Sequence, residues 1–367
     1  MSGDANVILV GDYNCEYPRE RELKNVFRAN GAMIYECRFW GEPLFIGPKK
    51  LLLLPYLYLH ISYKFFRLVR LVDVDVFVLT KFNPTMIPVV WLWARILGAQ
   101  LVYDLFVSLD RTAELHGANI IFARGIYYLE RFVLKLPDCH LTETDQFASL
   151  YADRYGLNRT SIIALPVGVD ESLFKPANIP ECETFTILYW GNFLPHHGLD
   201  TIVAAATALD EEEVEFVLLG TGPEQTRVWN DVRSRNLSNV RFMGRVQMDE
   251  LVKWIASAQV CLGIFSSDVR AEASITNKVS EGVAMGRCVV TMDSPAVRDW
   301  FTDREDIYLI PPEDGAALAE AIRDLRKHDE TRRKIARNAR RRYEEVFSSK
   351  ALGEILGERI PLSGYSD

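Results

Sequence analysis

At 367 residues the chain is too long for one ordinary core and fits two domains of about 150–190 residues. A hydrophobic content of 49% with 25% charged residues describes a folded globular protein and excludes a low-complexity or disordered chain. The net charge of −8 lies wholly beyond Asp170, since the first 170 residues hold 18 basic and 18 acidic side chains; an acidic balance argues against general nucleic-acid binding.

Val7–Gly11 reads as a buried strand, followed by a helix around Arg21–Asn30 that ends at Gly31. Further strands are predicted at Met33–Arg38, Asp75–Thr80, Gln100–Phe106, Cys139–Thr142 and Ser161–Leu165, with helical periodicity between them. The apolar stretch Met86–Leu97 carries Pro88 and Arg95 and follows a strand, so it reads as a buried crossover helix. Pro166-Val-Gly-Val-Asp170 and the prolines at 176 and 180 mark a linker. A second series repeats the alternation at Phe185–Gly191, Glu215–Leu219, Val240–Met243, Val260–Ile264, Cys288–Thr291 and Tyr308–Ile310. Strands alternating with helices build parallel sheets, and the fold class is α/β with two doubly wound, Rossmann-like domains.

The chemistry concentrates in residues 275–293. A polar turn at Thr276–Asn277 opens a helix from Lys278, Gly286 stops it, and a β-branched strand follows. A helix N-terminus with a lysine beside it suits phosphate. A carboxylate one turn on, Glu281, suits the hydroxyls of a ribose. Lys278 and Glu281 as a solvated helix pair is the plainer alternative. Upstream, Tyr189-Trp-Gly-Asn-Phe-Leu-Pro-His-His-Gly198 leaves a strand through a glycine turn that opens a helix. Val217-Leu-Leu-Gly-Thr-Gly-Pro223 also ends a strand in glycines, and Gly244–Val246 closes the next.

Asn-Lys-Val-x-Glu-x-x-Ala-Met-Gly, then Val-Val-Thr and Ser294-Pro-Ala-Val-Arg298, resembles the donor-site segment of the retaining family 4 glycosyltransferases of the GT-B fold. The linker resembles the segment that ends the first domain in these enzymes. The resemblance implies an acceptor-binding domain over residues 1–172, joined by a C-terminal helix at about 345–367, and a donor domain over 173–344. Their sheets would face one interdomain cleft, with the Arg-rich helices between Arg332 and Arg342 folding back onto the first domain. It implies transfer of a hexose from a UDP- or GDP-sugar to a lipid-linked or growing glycan, with retention and without metal or cofactor. Arg270 and Lys278 would neutralise the leaving diphosphate, and Arg270 as a solvated loop charge is the alternative. Donor contacts would come from Gly11, Arg19, Gly191, Asn192, His197, Gly220, Val246, Asn277 and Glu281. Arg19 resembles the arginine of a subgroup's Tyr-Pro-Arg and would reach a phosphate. The family's usual Arg and Lys are replaced by Asn192 and His197, and the first of its two Glu residues falls at Ala273, beside Glu272. These departures motivate an alternative, a non-catalytic GT-B subunit that partners another membrane glycosyltransferase.

Asp104-Leu-Phe-Val-Ser108-Leu-Asp110 follows a predicted strand, where aspartates are disfavoured unless they have a task. Asp104 and Asp110 are therefore candidates for orienting or deprotonating an acceptor hydroxyl, against a helix cap or an ion pair inside the domain. Residues 43–72 contain Lys49, Lys50, Lys64, Arg67 and Arg70, no acid, and interleaved aromatics. That pattern suits an anionic membrane surface. Six cysteines without a Cys-x-x-Cys pair suit a reducing compartment, and the expected place is the cytoplasmic face of a membrane, peripherally bound.

Overall fold

Each half of the chain arranges its strands into a parallel sheet covered by helices. The computed structural model describes residues 5–11, 18–38, 54–80, 83–110, 112 and 119–360. It divides into two units, Met1–Pro166 with Leu352–Asp367, and Val167–Ala351.

In the first unit the strands are β1 (Asn6–Gly11), β2 (Met33–Arg38), β3 (Val76–Leu79), β4 (Gln100–Asp104), β5 (Cys139–Thr142) and β6 (Ile162–Ala164). They lie in the order β2-β1-β3-β4-β5-β6, and every pairing is parallel. A parallel strand buried on both faces needs a continuous apolar run, and Val76-Phe-Val-Leu79 supplies one with no exposed residue. One sheet face packs Ile8, Val10, Phe77, Leu101 and Tyr103 against Ile61, Phe65 and Val90 of covering helices. The other packs Val7, Leu9, Val78 and Val102 against Leu23, Val26 and Phe27. Each such side chain contributes roughly 1.5–3 kcal/mol on burial. β4 stops at Asp104 rather than Phe106, because the Leu105 amide turns back to the Tyr103 carbonyl at 3.1 Å.

The helix Ile87–Leu97 corrects one expectation. It buries Ile87, Val89, Val90 and Ala94 on the sheet but leaves Leu92 and Ile96 at 52% and 65% exposure. An apolar sequence all round therefore does not mean burial all round.

The second unit holds β7 (Phe185–Asn192), β8 (Val214–Thr221), β9 (Val240–Gly244), β10 (Val260–Leu262), β11 (Cys288–Met292) and β12 (Tyr308–Ile310). Their order, β12-β11-β10-β7-β8-β9, reverses direction between β7 and β10. Such a switch point opens a crevice at the carboxyl ends of the two strands.

The Arg-rich helix Asp329–Val346 belongs to this unit. Its buried stripe, Ile335, Ala339 and Tyr343, joins the apolar clusters on the two faces of the second sheet. Three of its arginines are held locally: Arg332 pairs with Glu181, Arg340 donates to the Ala284 carbonyl and Arg342 to that of Trp300. The end of the chain belongs to the first unit, where Leu352, Leu356 and Ile360 enter its core. Gly353 and Gly357 admit that helix closely, since a Cβ at Gly357 would lie 2.4 Å from the Asn30 carboxamide.

Candidate functional site

The switch point of the second sheet gathers the loops after β7, β8 and β10 with the helix Asn277–Ala284. β7 ends in Tyr189-Trp190-Gly191-Asn192, and alternation sends the two aromatic side chains to opposite faces. Tyr189 packs with the cluster containing Phe193 and Leu199; Trp190 packs with the cluster containing Val279 and Val283.

Gly191 and Gly220, at the ends of the paired strands, both have left-handed backbones, with φ of 122° and 125°. A Cβ at Gly220 would fall 1.9 Å from the Gly191 carbonyl oxygen, so no side chain fits. Against Gly191 lies the Lys278 side chain, whose Cε and Nζ would each be 3.2 Å from a Cβ at Gly191. The backbone at the strand end and the ammonium thus share one small space.

Lys278 is 6% exposed, and its Nζ stands 5.0 Å from the centroid of the Tyr189 ring. Burial pulls its pKa down to about 8, partly opposed by the charge of Glu281. Among the described residues no carboxylate pairs with it directly. A cation held against an aromatic face, with only the charge of Glu281 raising its pKa, retains its capacity for an anion.

Glu281, one turn along the helix, accepts a 2.6 Å hydrogen bond from the Trp190 indole Nε1. That bond fixes one carboxylate oxygen. At the head of the same helix the Thr276 hydroxyl is buried, makes no cap bond, and has no partner among the described residues. Asn277 is the first helical residue and is half-buried.

Both histidines are pushed toward the neutral form. His197 is buried, its Nδ1 lies 2.7 Å from the Tyr189 hydroxyl, and that hydroxyl is 3.1 Å from the Asn192 carbonyl. Burial, then the charges of Lys278 and His196, push its pKa to about 2. His196 is also lowered, by burial and then by Arg270 and Lys278, against Asp268. Lys278 and Arg270 both bear on His196, and His197 braces the Tyr189 ring against which Lys278 stands. The Asn192 side chain is exposed, and the helix Val269–Glu272 that carries Arg270 is capped by Asp268 through the Arg270 amide at 2.8 Å. Ala273 is buried, and Glu272 beside it is half-buried. Val246 lies beyond Gly244 at the end of β9, half-buried with Met243 in the Trp190 cluster. Among the described residues no group of three His, Cys, Asp or Glu could hold a metal ion.

The first unit treats its candidates differently. Gly11 closes β1, where a Cβ would meet the Thr80 hydroxyl at 2.1 Å; Tyr17 and the rest of that loop lie outside the described residues. The expectation that Arg19 reaches a phosphate is not met, because its guanidinium is 2% exposed and committed within the unit. Nε and Nη2 donate to Asp104 Oδ1 at 3.2 and 3.0 Å, Nη1 to the Leu165 carbonyl at 2.7 Å, and the group stacks 5.2 Å from the Phe106 ring centroid. Asp104 thereby becomes the anchor of a buried ion pair, with Oδ2 buried and without a partner among the described residues.

Asp110 is fully buried as well. Arg154 donates to its Oδ2, from Nε at 2.9 Å and also from Nη2, and the Tyr155 hydroxyl donates to Oδ1 at 2.6 Å. Glu130 completes the network by accepting the Leu109 and Asp110 amides at 2.8 and 3.0 Å. Burial raises the Glu130 pKa to about 7, opposed by those amides and assisted by Asp110. Both aspartates occupy the ion-pair arrangement that stood as the alternative to an acceptor role. Their carboxylates hold the 104–110 segment to its own sheet and helices.

Sequence reading passes over Trp190 and Tyr189, because aromatics in an apolar strand look like core. A signal exists in their position at a strand's carboxyl end, followed at once by glycine.

Residues 184–328 match the family model described as "Glycosyl transferases group 1". The O-antigen chain mannosyltransferase C of Escherichia coli is 32% identical over 165 residues, 44% of this chain and 42% of that protein. A phosphatidyl-myo-inositol mannosyltransferase of Mycolicibacterium smegmatis is 25% identical over 279 residues, 73% of this chain and 68% of that relative. The chain thus spans less than half the length of the first relative and about two thirds of the second. In fold it is similar to a sucrose-phosphate synthase from Thermosynechococcus elongatus, with a TM-score of 0.71, 18% identity, and coverage of 96% of this chain and 98% of that one.

Proposed function

For a chain of the GT-B fold and the group 1, family-4-like glycosyltransferase type, we propose a retaining hexosyltransferase that uses a nucleoside-diphosphate sugar. The observation that carries the reading is the buried Lys278 ammonium beside the Gly191 backbone, one helical turn from a Glu281 fixed by Trp190. The diphosphate lies at the head of the helix Asn277–Ala284, against Lys278 and Arg270, where backbone amides and the Thr276 hydroxyl are available. The ribose hydroxyls meet Glu281.

In the reaction the bond from the sugar's anomeric carbon to the phosphate oxygen breaks and one to the acceptor oxygen forms on the same face. The acceptor proton passes to an oxygen of the departing diphosphate. Because Asp104 and Asp110 are held in ion pairs, no protein base is assigned from that pair. Charge on the leaving group and positioning then supply the acceleration.

The two mannosyltransferase relatives support a hexose of manno configuration. Their names also support a lipid-linked or growing glycan as acceptor, which we assign to the first unit. Residues 43–72 provide the contact with an anionic membrane surface, at its cytoplasmic face. Residues 43–53 lie outside the described residues, but the helix Leu54–Leu68 exposes Tyr56, Leu59, Tyr63 and Phe66 beside Lys64 and Arg67. No described helix is long and apolar enough to cross a membrane.

The neutral His197 and the exposed Asn192 favour one second reading, a non-catalytic subunit that binds nucleotide without turnover. Proton NMR of the chain with UDP- and GDP-hexoses separates the two. Slow release of free sugar in the donor's anomeric configuration supports transfer chemistry, and no release from any donor that binds supports the subunit.

A further inference from the structure

The helix Ile120–Val133 in the first unit carries a feature that a donor site does not require. Its N-terminus is capped by the Asn119 side chain, which accepts the Ile121 amide at 2.9 Å. Ala123, Ile126, Glu130 and Val133 face inward, yet the outer face is also apolar. Ile120, Ile121, Tyr128 and Phe132 are 70%, 78%, 64% and 73% exposed.

Beside this face runs a groove of about 680 Å³ lined by Thr85, Ile121, Phe122, Gly125, Ile126 and Leu129, with Asn119 at its end. Apart from Thr85 and Asn119 the lining is apolar, so a glycan would lose its water there with few groups to bond in return. Gly125 keeps the groove open. A helix-interior glycine is ordinarily displaced by alanine, and a Cβ at this one would meet nothing within 4 Å. Packing therefore does not demand the glycine.

The charge is one-sided. Arg124, Arg131 and Lys135 are exposed, while Glu130, the one carboxylate between Asn119 and Pro137, is buried against the Leu109 and Asp110 amides. The surface is also continuous with the amphipathic helix Leu54–Leu68, because the Tyr58 hydroxyl donates to the Thr85 carbonyl at 2.6 Å and Thr85 lines the groove.

We infer that the groove holds an acyl chain of an anionic phospholipid, with the helix Ile120–Val133 lying in the headgroup boundary and its cations among the phosphates. This rests on the proposed membrane reading and adds a second anchoring element with a chain-binding slot. A protein helix would fill the same groove by its apolar face, but it would leave the unbalanced cations unexplained.

The test uses the whole chain and vesicles of phosphatidylcholine with or without 30% phosphatidylglycerol. Flotation should show binding to the anionic vesicles, and Ile121→Asp with Phe132→Asp should weaken it at least about tenfold. Both positions are exposed, and an unchanged melting temperature establishes that the fold is intact. In a Leu129→Trp variant, acyl-brominated lipid should quench the added indole relative to the parent chain. Adding Gly125→Phe, which fills the slot but keeps the surface apolar, should relieve that quenching by at least about half while leaving flotation within about threefold. Unchanged flotation of the double aspartate variant, or no added quenching in the Leu129→Trp variant, overturns the inference. If Tyr63→Asp with Phe66→Asp abolishes binding while the Ile121 and Phe132 changes do nothing, the proposed membrane face stands and this element is excluded. If the parent chain does not float at all, both fail, and nucleotide binding still reports separately on the donor site.

Discussion

Replacing Lys278 with methionine should make the protein more stable and less able to bind its nucleotide. The ammonium is buried, and its pKa falls from 10.5 to about 8, chiefly by desolvation. A depression of roughly 2.5 units corresponds to about 3 kcal/mol of unfavourable free energy in the folded, charged state. Methionine has a similar length, no charge, and packs on the same Tyr189 ring, so up to about 3 kcal/mol of stability should return. For a unit of this size that is a rise in Tm of roughly 5–10 °C.

The pH dependence carries the same signature. Between pH 8 and 10.5 the unfolded chain still holds the Lys278 proton and the folded chain has lost it, so stability should rise with pH across that window. Below pH 8 the full penalty remains. The Lys278→Met variant should lack the rise. Its affinity for the nucleoside diphosphate should fall at least about a hundredfold, as for the loss of a desolvated charge pair. Thermal melts at about pH 7 and 9.5, with and without nucleotide, read all three quantities. A less stable variant, an unchanged pH slope, or an undiminished nucleotide shift would each refute the placement of the charge.

Trp190→Phe should remove the 2.6 Å bond to Glu281 and weaken nucleotide binding about tenfold, the worth of a hydrogen bond to a carboxylate that is partly exposed. In a calorimetric double-mutant cycle with Glu281→Gln, the two losses should be less than additive; full additivity counts against the pairing. Gly220→Ala places a Cβ 1.9 Å from the Gly191 carbonyl and should cost several kcal/mol with loss of nucleotide binding, read by urea unfolding. Asp110→Asn should destabilise the first unit by about 2–4 kcal/mol, because Arg154 loses its carboxylate, while nucleotide affinity stays within about twofold. Gly125→Ala should raise stability by up to about 1 kcal/mol, since the methyl meets nothing.

The strand pattern is legible because buried parallel strands must be short apolar runs, and Val76–Leu79 or Cys288–Met292 cannot be read otherwise. Lys278 and Glu281 are legible as a pair because helical spacing puts them on adjacent turns. What escapes is everything settled by contacts distant in sequence. Trp190 meets Glu281 across 91 positions, and Arg19 meets Asp104 across 85, so no local window joins them. The stretch Met86–Leu97 reads as buried because composition records how apolar a helix is and not how many of its sides are covered. The packing of the Arg-rich helix escapes for a related reason: its charges dominate the sequence, whereas the stripe Ile335, Ala339 and Tyr343 decides what it covers in its own unit.

The most direct measurement is the thermal shift of the intact chain and of Glu281→Ala with UDP, GDP, ADP and CMP. The account predicts that one nucleoside diphosphate raises the melting temperature of the chain in proportion to its binding, and that Glu281→Ala abolishes the shift. A shift that survives in Glu281→Ala, or no shift with any of the four, would contradict a donor site at the end of β7.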